Sequence, residues 1–166
     1  LHSLRAHTLE GHMQLYKNVL HHPANGLPKW LLETAGVYVS ILNRCPYCVE
    51  HHFEGLRRLL RDEDRADAIR RGLETDVWDG VLDDRCQAIL LYVKRLTRSP
   101  ESMSRTDVDR LRSAGLSDGE ILEINQVTAY FAYANRTVLG LGCSTKGDIL
   151  GLSPGNSEDP NDWRHG

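Results

Sequence analysis

A chain of 166 residues, 40% hydrophobic and 26% charged, has the composition of one globular domain and can bury a real core. Its net charge of -3, with no basic stripe, excludes a nucleic-acid footprint, and no apolar run is long enough to span a bilayer. Four cysteines, Cys45, Cys48, Cys86 and Cys143, are too unevenly spaced for a small secreted disulfide framework.

The chain opens on Leu1 rather than Met, with no charged n-region before an apolar h-region. The expectation is a trimmed cytoplasmic protein. Helical periodicity dominates from there. Leu4, Leu9, His12, Leu15 and Val19 recur at helical spacing and predict a helix over 2–21. The breaker "PANGLP" follows, and Pro28 suits the first turn of a second helix through Trp30, Leu31, Ala35, Tyr38, Val39 and Leu42. Asn43 and Arg44 end it, and Pro46 starts a third that runs to about Leu60.

Further helices are predicted over 63–72, 83–97, 104–114 and 117–141, with Asp83 and Ser117 as N-caps and a Ser117–Glu120 capping box. The segment "GLRRLLRDEDRADAIRRGLE" alternates its charges, as a solvated helix face does. Cys86 and Cys143 stand alone in helical patterns, where small buried cysteines are common. Residues 1–152 read as one all-α domain. Residues 153–166 form a polar, breaker-rich tail, either a disordered end or an inter-subunit arm carrying Trp163. One internal echo stands out: "YVSILNRC" (38–45) aligns with "YFAYANRT" (130–137), as a duplicated helix pair or chance would produce.

The stretch "NRCPYCVEHH", Asn43 to His52, concentrates the reactive groups. On a helix, His52 lies four residues after Cys48 on the same face. Cys45 sits at the helix start, where free N–H groups and the dipole favour a thiolate. A C-x-x-C turn lets the two sulfurs bridge without large movement. Glu33 lies twelve residues before Cys45, inside the apolar run "KWLLETAGVYVSIL". If the chain reverses near Arg44, the two helices run antiparallel, with Glu33 about 16 Å back from the turn and His52 about 10 Å forward. A carboxylate in apolar surroundings wants a partner, and His52 is the one expected. Carboxylate, imidazole and thiol then stand in the order of a proton relay. Cys48 has the base beside it and takes the attacking role, which leaves Cys45 to resolve the product.

Zinc is the first rival. The pair offers two ligands and His51 or His52 a third, but no second C-x-x-C or H-x₃-H lies close in sequence. His51 points about 100° away from His52 and reads as surface or interface. His2, His7, His12, His21, His22 and His165 receive no functional role, Tyr47 is expected either to pack or to shape the pocket with its ring, and Asn135 and Arg136 read as an ordinary polar patch or interface contact.

The pattern E-x₁₁-C-x-x-C-x-x-x-H, with Ser40 and Asn43 just upstream, resembles the AhpD-like alkyl hydroperoxidases of the carboxymuconolactone decarboxylase superfamily, in particular their peroxidase-related branch. The likeness extends to "YFAYANRTVLGLG" near the end. It implies an AhpD-like helical bundle with an antiparallel helix pair carrying the C-x-x-C motif, assembled as trimers, hexamers or dimers. It also implies Cys48 as peroxidatic thiol, Cys45 as resolving thiol, and Glu33 with His52 as the relay. Well-studied members carry a further His between the cysteines, where this chain has Tyr47. The decarboxylase branch lacks the C-x-x-C, so lactone chemistry matches poorly. The expected partners are a small hydroperoxide and an external dithiol, with no cofactor or resident metal. A thiol–disulfide oxidoreductase or redox sensor without peroxide turnover is the alternative, and a metal-holding module a weaker one.

Overall fold

Helix α2 (Lys29–Leu42) is apolar on every side, and a helix of that kind must be covered on every side. The structure, a computed structural model, describes residues 2–151 and arranges the other helices to do so. Around α2 stand α3 (Pro46–Leu60), α4 (Glu63–Thr75), α5 (Asp84–Arg98) and α7 (Asp118–Gly140). Helix α1 (Ala6–Tyr16) leads into α2 through a wider turn, and α6 (Arg105–Ser113) bridges α5 and α7. No strand occurs among the described residues, so the all-α fold read from the sequence is the observed one. The tail at 153–166 lies outside the described residues.

Most predicted boundaries lie within a residue or two of the observed ones, and the caps explain why. Asp83 accepts from the Cys86 N–H at 2.8 Å, and Ser117 and Glu120 form the predicted capping box. Pro46 occupies the first position of α3, while Pro28 sits one residue before α2, as its N-cap. The first helix differs more. It opens as a 3-10 turn (His2–Arg5), becomes α1, and widens into a π-turn over Lys17–His21. The π-turn buries Val19, Leu20 and His21 together, and such turns recur at functional sites.

Two contacts set the position of α7 against the rest. The Glu123 carboxylate accepts from the N–H groups of Gly26 and Leu27, at 2.8 and 2.9 Å, and clamps the loop before α2. Gly36 faces the ring of Phe131 so closely that a Cβ there would lie 2.2 Å from it. Only glycine permits that approach of α2 to α7.

Candidate active site

The end of α2 places Cys45. Arg44 takes the left-handed conformation, its N–H bonds the Ile41 carbonyl at 3.0 Å, and the Cys45 N–H bonds the Ser40 carbonyl at 2.9 Å. This is a Schellman cap, and it reverses the chain. Cys45 then serves as N-cap of α3 and is fully buried. One turn on, Cys48 is 4% exposed. Both are free thiols, close enough to hydrogen-bond each other.

The antiparallel α2–α3 hairpin brings Glu33 and His52 together as the spacing predicted. The Glu33 Oε2 accepts from His52 Nδ1 at 2.8 Å, and Glu33 is 1% exposed. With Nδ1 engaged by a carboxylate, Nε2 is left as the basic nitrogen of the imidazole. The Phe131 ring meets the His52 ring edge-on at 4.6 Å between centroids and fixes its tilt. His52 and Cys48 line the same cavity of about 850 Å³, whose wall mixes Tyr130, Tyr133, Ala134 and Val138 on α7 with polar groups such as Arg5, His12 and Asp148. Cys45 does not line it.

Burial pushes the Cys48 thiol up to about 12. Cys45 adds to the shift, and a hydrogen bond from Asn135 opposes it. The thiol is therefore protonated at rest, and a base must take its proton when it reacts.

Two residues of this site had no role in the sequence reading. His21, brought inward by the π-turn, points its Nε2 at the other Glu33 oxygen from 4.0 Å and packs edge-on against Tyr16 at 4.8 Å. Desolvation lowers its pKa from the usual 6.5 to about 4, outweighing the pull of Glu33, so it is neutral near pH 7. Glu33 thus lies between two imidazoles and is hydrogen-bonded to that of His52. Asn135, fully buried, accepts from Asn43 Nδ2 at 3.0 Å, donates to Ser40 Oγ at 3.0 Å, and hydrogen-bonds the Cys48 sulfur. The Asn43–Asn135 pair joins equivalent positions of the sequence echo, which was the one signal that could have found it.

His51 stays on the outer face, where its Nε2 meets Asp148 Oδ2 at 3.2 Å and its ring stacks on Tyr47 at 4.5 Å. Among the described residues, no group of three or more His, Cys, Asp or Glu is arranged to hold a metal ion, and no helix is long and apolar enough to cross a membrane. Cys143 lies beyond α7 in a turn and is partly exposed, rather than in a helical pattern. Gly142, left-handed before it, stops the helix.

Residues 6–81 match the family model described as the carboxymuconolactone decarboxylase family. Among curated proteins nothing matches. Among solved structures, an uncharacterized peroxidase-related protein from Silicibacter sp. TM1040 is 26% identical, with a TM-score of 0.76 over 84% of this chain and 71% of that one. An uncharacterized peroxidase-related protein from Ralstonia eutropha JMP134, described as an alkylhydroperoxidase AhpD core, gives 22% and 0.75 over 84% and 70%. A protein of unknown function from Agrobacterium tumefaciens, named in connection with AhpD antioxidant defence, gives 21% and 0.74 over 86% and 93%. The family model covers the α2–α3 hairpin that carries Glu33, both cysteines and His52, and the shared fold takes in most of the chain. Over residues 6–81 the chain is thus similar to the carboxymuconolactone decarboxylase family, and it shares its all-helical fold with these peroxidase-related structures.

Proposed function

We propose that this chain is a thiol-dependent peroxidase that reduces organic hydroperoxides through a Cys45/Cys48 dithiol–disulfide cycle. The observation that carries the reading is the buried Glu33–His52 hydrogen bond beside a cavity that Cys48 lines. His52 takes the Cys48 proton through Nε2, with Glu33 holding the tautomer and stabilising the imidazolium that forms. The Cys48 thiolate attacks the distal oxygen of the hydroperoxide and the O–O bond breaks. The departing alkoxide receives a proton and leaves as the alcohol, while Cys48 becomes a sulfenic acid. The Cys45 thiol attacks that sulfur, water leaves, and a Cys45–Cys48 disulfide results. An external dithiol then returns the pair to its reduced form by exchange and is itself oxidised to a disulfide.

The raised pKa of Cys48 favours a second reading. A pair that stays protonated at rest suits a slow thiol–disulfide oxidoreductase or redox sensor without peroxide turnover. Hydroperoxide loss with dithiothreitol as electron donor separates the two. Turnover in the parent that vanishes in Cys48→Ser supports the peroxidase. An inactive parent with a clean two-electron thiol titration supports the sensor.

We also propose self-association. Leu4, Leu139, Leu141 and Ile149 are exposed, and Leu4 and Leu141 also line the cavity. Light scattering that gave the mass of a single chain would refute it.

A further inference from the structure

Three sulfurs, not two, surround the site. Cys48 and Cys143 line one cavity, with Cys48 on its α3 wall and Cys143 on the turn after α7. The position of Cys143 is built. The Gly142 N–H bonds the Leu139 carbonyl at 3.1 Å, and the Cys143 N–H bonds the Val138 carbonyl at 3.1 Å, which makes a complete Schellman cap. The chain beyond it is tied to the helix that carries Cys48. Asp148 meets His51 at 3.2 Å and interacts with Tyr47, and Arg58 donates to the Leu150 carbonyl at 3.0 Å and to that of Gly151. Cys143 also acts electrostatically on Cys48 and on Tyr47.

Exposure separates the three thiols. Cys45 is 0% and Cys48 4% exposed, whereas Cys143 is partly open. Exchange requires a thiolate to approach a disulfide sulfur directly. A protein dithiol is too bulky to enter a cavity and reach Cys48, let alone Cys45. Cys143 offers a sulfur at a place such a partner can touch.

We propose that Cys143 is a third redox residue of this site, carrying the disulfide outward from the buried pair to the external dithiol. The Cys143 thiolate attacks the Cys48 sulfur, the Cys45–Cys48 bond breaks, and Cys45 leaves as a thiol after taking up a proton. The new Cys48–Cys143 disulfide has the same oxidation level as the old one. The external dithiol attacks the Cys143 sulfur and frees Cys48. Its second thiol then displaces Cys143, so that the partner leaves as a disulfide. The physiological use of this path rests on the dithiol cycle proposed above; the place of Cys48 and Cys143 on one cavity does not.

Two measurements test it, and the first needs no peroxide activity. Cys45→Ser is treated with one equivalent of diamide, blocked with N-ethylmaleimide and mapped by mass spectrometry without reduction. The expected product is a peptide pair linked through Cys48 and Cys143, absent from Cys45→Ser/Cys143→Ser. A Cys45→Ser protein whose Cys48 and Cys143 are recovered only as separate peptides overturns the proposal. In the second, the oxidised parent and oxidised Cys143→Ser are reduced by thioredoxin. Re-reduction should slow by about tenfold or more in the variant, with a smaller change for dithiothreitol. Equal rates with thioredoxin overturn the outward path. Loss of the peroxidase reading alone would show differently, as a parent that consumes no hydroperoxide yet still forms the Cys48–Cys143 link in the Cys45→Ser background.

Discussion

Helices α2 and α7 both end on a left-handed residue, Arg44 at φ 56° and Gly142 at φ 63°, and each is followed by a cysteine whose N–H closes the cap. What comes next differs. After Arg44 the chain enters α3 at Pro46, and the new helix seals Cys45 inside. After Gly142 it runs into an open turn that leaves Cys143 partly exposed. The same backbone device thus makes one sulfur inaccessible and another reachable, and the residues after the cap decide which. The sequence echo tells the same story. Pro46 corresponds to Val138, and α7 continues through Thr137 and Val138 where α2 has already stopped. Proline lacks the N–H and pushes the residue before it out of the helical region; valine does neither. The second copy of a helix pair is therefore absent, and one long helix stands in its place.

The largest expected effect separates the two environments by chemistry. Cys48 is held as a thiol by burial, and in the proposed cycle His52 takes its proton, whereas Cys143 is partly exposed after α7. His52→Gln should slow Cys48 alkylation by iodoacetamide at neutral pH by about 10²–10⁴-fold, the usual span of general base catalysis, and leave Cys143 unaffected. Glu33→Gln should act in the same direction near the low end of that ~10²–10⁴-fold span, without unfolding the protein. Site-resolved mass spectrometry reads both thiols in one sample. Equal slowing at the two cysteines, or no change at Cys48, would remove the relay.

A second, smaller effect tests the other imidazole on Glu33. His21 titrates near 6.5 when unfolded but at about 4 when folded, because burial disfavours its charged form. Above pH 6.5 neither state is protonated and stability is complete. As pH falls from 6.5 towards 4, the unfolded chain takes up a proton that the folded one refuses, so stability drops by roughly 3 kcal/mol. Urea titrations across this window should show the decline, and His21→Gln should flatten it. A parent curve that stays level from pH 6.5 to 4 would mean that His21 is protonated in the fold.

These two experiments divide along what the sequence made legible. Glu33 stood out because a carboxylate in an apolar run needs a partner, and His52 followed from helical spacing and a chain reversal at Arg44. His21 could not be found that way. It lies twelve residues before Glu33, across a breaker-rich loop and on a π-turn, and a helical period of 3.6 does not describe the direction it faces. Asn135 was hidden for another reason. A polar residue on a long helix is usually a surface residue, and only its contact with Asn43 across the α2–α7 interface reveals it as buried. Cys143 was misread as helical, although "LGLGC" carries the glycine stop signal.

The close approach of α2 and α7 supplies the next test. Gly36→Ala places a methyl group 2.2 Å from the Phe131 ring, and Phe131 is fully buried and packs edge-on with His52. The clash should cost about 1–3 kcal/mol, as overpacking does, and should shift the His52 ring. Denaturant unfolding measures the first, and the pH profile of Cys48 alkylation the second. A stable variant with an unchanged profile would show that the helices can part without disturbing the relay.

The smallest effect returns to the two caps. Arg44 is an exposed residue in a conformation that costs a side-chain-bearing residue about 1–2 kcal/mol, so Arg44→Gly should raise stability by up to about 1 kcal/mol after the entropy of glycine is counted. At Gly142 a Cβ would meet nothing within 4 Å, so Gly142→Ala should lose about 1–2 kcal/mol through the backbone alone. Thermal unfolding of the pair measures both. The signs should be opposite, because the conformation is shared and only the residue differs. If Gly142→Ala instead left stability intact, the turn would have abandoned its left-handed form at little cost, and Cys143 would no longer be fixed on the cavity that Cys48 lines. The link between those two sulfurs in the Cys45→Ser background should then weaken in Gly142→Ala while Arg44→Gly leaves it unchanged.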